Sequence, residues 1–155
     1  MANRFVPPSY PLEPALAFLQ RLWGLNHALE KLSAHMATRL GITAKQRLVI
    51  RCLGKFPGLP AGQLASLLHL DPGTVSAALQ RLEAKELVLR KRDPRDQRRS
   101  AIRLTAKGRT LDCTMPGTVE TAVDELLATT TKADLEVAVR VLERLTALVH
   151  REVVD

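Results

Sequence analysis

The chain has 155 residues, 46% of them hydrophobic, 25% charged and 3% aromatic, with a net charge of +7 and a pI near 10. That is ample material for an aliphatic core and excludes a disordered chain, and the excess of base points to a polyanion as partner, nucleic acid or an anionic membrane. Cys52 and Cys113 are too few and too far apart for a disulfide framework, and no apolar run reaches the roughly 18 residues of a membrane span.

The first residues, Met1 to Pro8, lack the apolar stretch and cleavage site of a secretory signal, so a cytoplasmic protein is expected, with no membrane partner. Pro7, Pro8 and Pro11 are incompatible with helix interior and predict an extended arm over residues 1–11. From Leu12 to about Leu40 the spacing turns helical. Leu16, Leu19, Leu22, Leu25, Leu29, Leu32 and Met36 form one apolar stripe. Such a helix would span about 40 Å, long for this chain, so part of its surface is expected to meet another chain.

Gly41 is a natural C-cap and Thr43 an N-cap. Leu48, Val49, Cys52, Leu53 and Phe56 predict the core face of a second helix, stopped by Pro57-Gly58. Leu59-Pro60 opens a third, with Leu64, Leu67 and Leu68 inward. Asp71 and Pro72 then stand at the N-cap and first position of a fourth helix, running to about Ala84. Val75, Leu79 and Leu82 point inward. The opposite face carries Gly73, Ala77, Gln80, Arg81 and Ala84, with Thr74 and Ser76 on its flanks. Small and hydrogen-bonding side chains beside one arginine suit close approach to base edges.

Residues 87–104 read as a β-hairpin. Leu87 and Leu89 are expected on one strand face, Ile102 and Leu104 on the returning one, with a turn at Asp93-Pro94. From Arg90 to Arg103 seven basic and two acidic residues leave a net +5, most of the charge of the whole chain. Two helices joined by a tight turn and followed by a basic hairpin make a winged helix-turn-helix, whose second helix enters the major groove.

Beyond the hairpin Thr105 is an N-cap, and Leu111, Met115, Val119, Val123 and Leu126 carry a stripe that Pro116 should kink or restart. Thr129 to Thr131 break the chain before a last helix, Lys132 to about Val154. Its apolar side is Leu135, Ala138, Val139, Leu142, Leu145 and Val149, widened by Val141 and Leu148. The predicted fold is mostly α with a small β-hairpin wing. Residues 1–41 form an arm and dimerisation helix, 42–105 a winged helix-turn-helix DNA-binding domain, and 106–155 C-terminal dimerisation helices. Pairing of two copies would cover the surplus apolar surface at both ends.

No catalytic chemistry is signalled. His27, His35, His69 and His150 are scattered, and HExxH, CxxC, P-loop and GxSxG patterns are missing, so neither an enzyme nor a metal or cofactor site is expected.

The run Asp93-Pro94-Arg95-Asp96-Gln97-Arg98, followed by Leu104-Thr105-Ala106-Lys107-Gly108, resembles the wing signature of the MarR family of bacterial transcriptional regulators. Thr74-Val75-Ser76, Arg81-Leu82-Glu83 and Gln63-Leu64-Ala65 before Asp71 also fit, and the likeness spans roughly residues 12–152. The resemblance implies a homodimer that reads a pseudo-palindromic operator in double-stranded DNA, as a repressor or other regulator. It implies that Ser76 and Gln80 face bases, that Arg81 is the basic residue of the recognition helix, and that Arg95 is the wing's minor-groove arginine, oriented by Asp93. Thr74, Ala77, Arg92, Arg98 and Arg99 complete the expected DNA-binding set. The chain departs from the family at Ala77, where many members are basic, and at Glu86, where many have glycine.

The family also implies a small-molecule effector bound where the dimer helices meet the winged domain; Trp23, His27 and Met36 are the candidates. Two alternatives share the fold. One is a thiol-based redox sensor, although Cys52 falls on an apolar face and no cysteine stands near the N-terminus. The other is a non-specific, architectural DNA-binding protein.

Overall fold

The computed structural model describes the backbone of residues 12–93 and 96–154, and the side chains of these except at 92, 93, 96–99 and 154. The predicted arm over residues 1–11, and Pro94 and Arg95 of the wing, lie outside the described residues.

Among the described residues are helices α1 (Pro14–Leu40), α2 (Ala44–Lys55), α3 (Ala61–Leu68), α4 (Pro72–Ala84), α5 (Ala106–Arg109), α6 (Val119–Thr129) and α7 (Lys132–Val154). Strands β1 (Val88–Asp93) and β2 (Asp96–Leu104) pair antiparallel. The architecture is mostly helical with a small hairpin. No described helix is long and apolar enough to cross a membrane.

α1 begins with Pro14 in its first turn and ends where Gly41 turns left-handed at φ 73°. Of its apolar stripe only Met36 is buried, whereas Leu16, Leu19, Leu25 and Leu29 stay exposed. Thr43 then starts α2 with a reciprocal cap. Its hydroxyl accepts from the Gln46 amide at 3.3 Å, and its own amide donates to the Gln46 side chain at 3.1 Å.

The core face of α2 differs from the expected one. Val49 and Leu53 are buried as expected, but Leu48 and Phe56 are exposed and Cys52 is half-buried. Ile50, Gln46 and Arg47 are buried in their place. The helix is covered on two sides, by the core that Val49, Ile50 and Leu53 join with α4 and β2, and by the segment after the wing through Arg47. Leu48 is left on the third side, and Phe56 sits at the C-cap. On α3 the buried pair is Leu64 and Ala65, with Leu68 half-buried; Leu67 is exposed rather than inward, about 110° round the helix from the centre of that face.

Asp71 caps α4 as expected, and Val75, Ala78, Leu79 and Leu82 enter the core beside Leu64, Ile102 and Leu104. The wing is shifted by one residue from its expected register. Leu87 precedes the strand and is buried by the turn in which its amide donates to the Leu82 carbonyl at 2.9 Å. Val88 pairs with Leu104 and Arg90 with Ile102, so Val88 is the residue that faces inward with Ile102 and Leu104, and Leu89, opposite Arg103, is exposed. A slip of one residue exchanges the two faces of a strand. Its cause is Glu86, which adopts φ 58° and redirects the chain before β1. At the base of the wing, the Gly58 amide donates to the Ile102 carbonyl at 2.9 Å and the Ile102 amide to Leu59 at 3.3 Å, tying the α2–α3 loop to β2.

Thr105 caps the short α5 through the Gly108 amide at 2.9 Å. An irregular connector, residues 110–118, follows, so Leu111 and Met115 lie there, half-buried, and not on a helical stripe. The helix restarts after Pro116, with Thr118 capping α6. None of the described residues of α6 is buried, and most of the apolar row on α7 is exposed: Val139, Val141, Leu142, Leu148 and Val149.

Candidate nucleic-acid interface

The outward face of α4 is the centre of the candidate site. Gly73, Ala77, Gln80, Arg81 and Ala84 are exposed, and Thr74 and Ser76 are half-buried at its margins. The face is free because Val75, Leu79 and Leu82 commit the opposite side to the core, at 0–1% exposure. The small side chains at 73, 77 and 84 leave the backbone open to close approach, and only Gln80 and Arg81 project far from it.

Asp71 fixes the start of this helix. It accepts the Thr74 amide at 2.8 Å and, through its second oxygen, the Thr74 hydroxyl. These two bonds hold the Asp71 carboxyl below the usual carboxylate range, the hydroxyl bond contributing most. The Thr74 proton is therefore engaged within the protein, and its hydroxyl has only acceptor capacity left to offer a ligand.

The wing is braced to α4. Arg90 Nε lies 2.6 Å from Glu83 Oε1, so the first wing arginine is an internal strut. Lys107 donates to the Lys85 carbonyl at 2.9 Å, and Lys85 to the Gly41 carbonyl, which joins the end of α4 to α5 and to the α1–α2 elbow. The Thr105 hydroxyl reaches the Glu86 carbonyl at 2.7 Å. Gly108 sits so close to the wing that a Cβ there would meet the Leu87 carbonyl oxygen at 1.9 Å. The Leu-Thr-x-x-Gly run thus has a mechanical meaning: a cap, a bond to the wing base, and a contact only glycine permits.

Of the expected DNA-binding residues, the structure gathers Thr74, Ser76, Ala77, Gln80 and Arg81 on one helix face. Arg92, Asp93, Arg98 and Arg99 lie on the paired strands, with side chains outside the description, and Arg95 falls wholly outside it. Two further exposed cations, Lys91 and Arg103, were not singled out above. The strand pairs Leu89–Arg103 and Lys91–Ala101 place them on the outer face of the wing. Period-two alternation would have found them, had the register been placed one residue later.

The effector candidates do not converge. Trp23 is 70% exposed and borders a groove of about 500 Å³ between α1 and α7, lined also by Leu22, Asn26, Leu145, Val149 and His150. His27 is exposed outside that lining, and Met36 is fully buried at the far end of α1. A second cleft, of about 340 Å³, lies among Leu40, Gly41, Ile42, Lys85, Leu87, Lys107 and Leu111. Burial pushes the Cys52 thiol up, and Cys113 is exposed in the connector. Among the described residues no group of three or more His, Cys, Asp or Glu could hold a metal ion.

Comparison with known proteins places this arrangement. The MarR family model matches residues 42–100. The organic hydroperoxide resistance transcriptional regulator of Bacillus subtilis (strain 168) is 32% identical, over 77% of this chain and 80% of its own length. The HTH-type transcriptional regulator TtmR of Methylorubrum extorquens (strain PA1) is 39% identical over 63% of this chain; the match spans 52% of that longer relative. Among solved structures, the S. aureus MepR–DNA complex shares the fold, with a TM-score of 0.70 at 22% identity, covering 88% of this chain and 98% of the other.

Proposed function

This chain belongs to the MarR family, and we propose that it is a sequence-specific DNA-binding transcriptional regulator that works as a homodimer on a pseudo-palindromic operator, most simply as a cytoplasmic repressor. The observation that carries the proposal is the outward face of α4, with Gln80 and Arg81 projecting from a ground of small residues beside a wing braced to that helix. In this reading Gln80 and Ser76 read base edges in the major groove, and Arg81 binds a phosphate or a guanine. Arg92, Arg95, Arg98 and Arg99, with Lys91 and Arg103, contact the backbone and the adjacent minor groove. Asp93 orients Arg95. The exposed apolar rows of α1, α6 and α7 support the dimer, because a small soluble domain rarely leaves so much aliphatic surface open.

In vitro selection of duplex DNA on the purified protein tests this. The expected product is a dyad-symmetric motif with half-site centres about 10 base pairs apart. Recovery of no enriched motif, together with binding that only falls with salt, would replace the reading with non-specific DNA packaging.

Release by a small effector belongs to the same reading. Support comes from the cleft of about 340 Å³ at the α1–α2 elbow, lined by Leu40, Ile42, Leu87 and Leu111 together with Lys85 and Lys107. The second reading, control by thiol oxidation, draws on the hydroperoxide-resistance relative and on exposed Cys113. Alkylation of the native protein separates the two: unchanged DNA binding rejects thiol control.

A further inference from the structure

Three arginines on α1 and α2 direct their donors at one short stretch of chain. Arg47 is fully buried on α2, and both terminal nitrogens of its guanidinium are engaged by that stretch. Nη1 donates to the Leu111 carbonyl at 2.9 Å, Nη2 to the Cys113 carbonyl at 2.6 Å, and Nε lies 2.7 Å from the Glu120 carboxylate at the start of α6. One turn later Arg51 meets Asp112 at 2.5 Å. Gly54 makes that approach possible, since a Cβ there would lie 1.8 Å from the Asp112 carboxylate. From the end of α1, Arg39 donates to the carbonyls of Pro116 and Gly117.

The stretch so gripped is the connector that carries the chain from the wing to α6 and α7. It has little regular structure, so its carbonyls are free to accept, and its path is set by whatever donates to them. α2 grips it with one side and packs on α4 with another, and its Val49, Ile50 and Leu53 join the core cluster that holds Val75, Leu79 and Leu82 of α4. A desolvated guanidinium tolerates no slack, because any movement of the connector leaves a buried charge without partners.

We propose that Arg47 is a positioning residue that sets the angle between α4 and the C-terminal arms, and through it the half-site spacing that the protein accepts. The inference rests on the proposed reading of a dyad by a dimer built through those arms. One added base pair rotates a half-site by about 34° and moves it about 3.4 Å along the axis. A rigid joint rejects such a change, whereas a loosened joint follows it.

The test measures binding of the full-length protein to duplexes carrying the selected half-sites at the preferred spacing and with one or two base pairs added or removed. The wild type should lose about tenfold or more in affinity per step away from the optimum. Glu120→Gln, which removes the carboxylate charge and leaves the carbonyl bonds of Arg47 in place, and Arg47→Lys, which keeps a charge and loses the planar fork, should flatten that profile. Base preference within each half-site should stay as in the wild type. Asp112→Asn should act in the same direction, through Arg51. If both primary variants keep the sharp optimum, or weaken equally at every spacing, Arg47 only stabilises the fold and the proposal is wrong. If the wild type selects no dyad motif at all, it is the dimeric DNA reading that fails, and the spacing inference falls with it.

Discussion

The Nε of Arg47 and the Oε1 of Glu120 stand 2.7 Å apart, yet neither atom has a partner in the alignment of a hydrogen bond. The attraction is therefore Coulombic, and the oriented bonds of this guanidinium go to backbone carbonyls. The two partners also differ in exposure, the Arg47 side chain at 1% and Glu120 at 32%. Most of the desolvation falls on the arginine. Arg47→Ala should accordingly destabilise the fold by about 3 kcal/mol, because it opens a cavity and strips two carbonyls, of Leu111 and Cys113, of their donor. Glu120→Gln should cost about 1 kcal/mol, since the side chain is partly exposed and the amide keeps its shape. Urea unfolding at a fixed protein concentration measures both, and equal losses would contradict this division.

Gly108 supports a second expectation. Its contact is with the backbone of Leu87, which cannot swing aside as a side chain could. Gly108→Ala should push α5 off the base of the wing and cost about 3 kcal/mol. A thermal transition close to that of the wild type would mean that the wing base yields more easily than its hydrogen bonds suggest.

Glu86 behaves in the opposite sense. It holds φ 58° without being glycine, and its exposed side chain has no hydrogen bond or ion pair among the described residues. Glu86→Gly should relieve the left-handed strain and stabilise the protein by about 1 kcal/mol, less whatever glycine entropy offsets. The check is the urea midpoint at an unchanged slope.

Residues such as Glu86 also explain where the sequence could be read and where it could not. The caps at Thr43, Asp71 and Thr105 were legible because each is satisfied within three residues of itself. The inward and outward faces of α4 were legible because that helix buries one side only. α2 is covered on two sides, so a single apolar stripe misplaced its core face at Leu48 and Phe56. The strand register turned on a positive φ at Glu86, which the family's glycine at that place signals as a strained turn but which a glutamate by itself does not announce. Arg47 was invisible, since a buried arginine is identified only by its acceptors, and these lie beyond residue 110. The outward face of α4 is thus legible in the sequence, while the grip of Arg47 on the connector is not.

Gln80 gives the most direct check on the outward face. Gln80→Ala removes a donor and an acceptor from an exposed position that the core does not use. Folding stability should be nearly unchanged, while affinity for the selected site falls by about 1–3 kcal/mol and preference relaxes at one base pair per half-site. A uniform loss on all sequences would make Gln80 a backbone contact instead.

Asp71 links the same helix to pH. Bonds from the Thr74 hydroxyl and amide hold its carboxyl below the ordinary range, so folding favours the ionised form. A group whose folded value is depressed stabilises the protein at pH above its unfolded value, about 3.9, and that contribution is lost as pH falls through the folded value. Asparagine can accept the same amide but does not titrate. The wild type should therefore exceed Asp71→Asn in melting temperature near neutral pH, with the gap closing on acidification below about pH 4. A gap that is constant from neutral to strongly acidic pH would show that the carboxylate charge contributes nothing at the head of α4, and that the cap acts through its geometry alone.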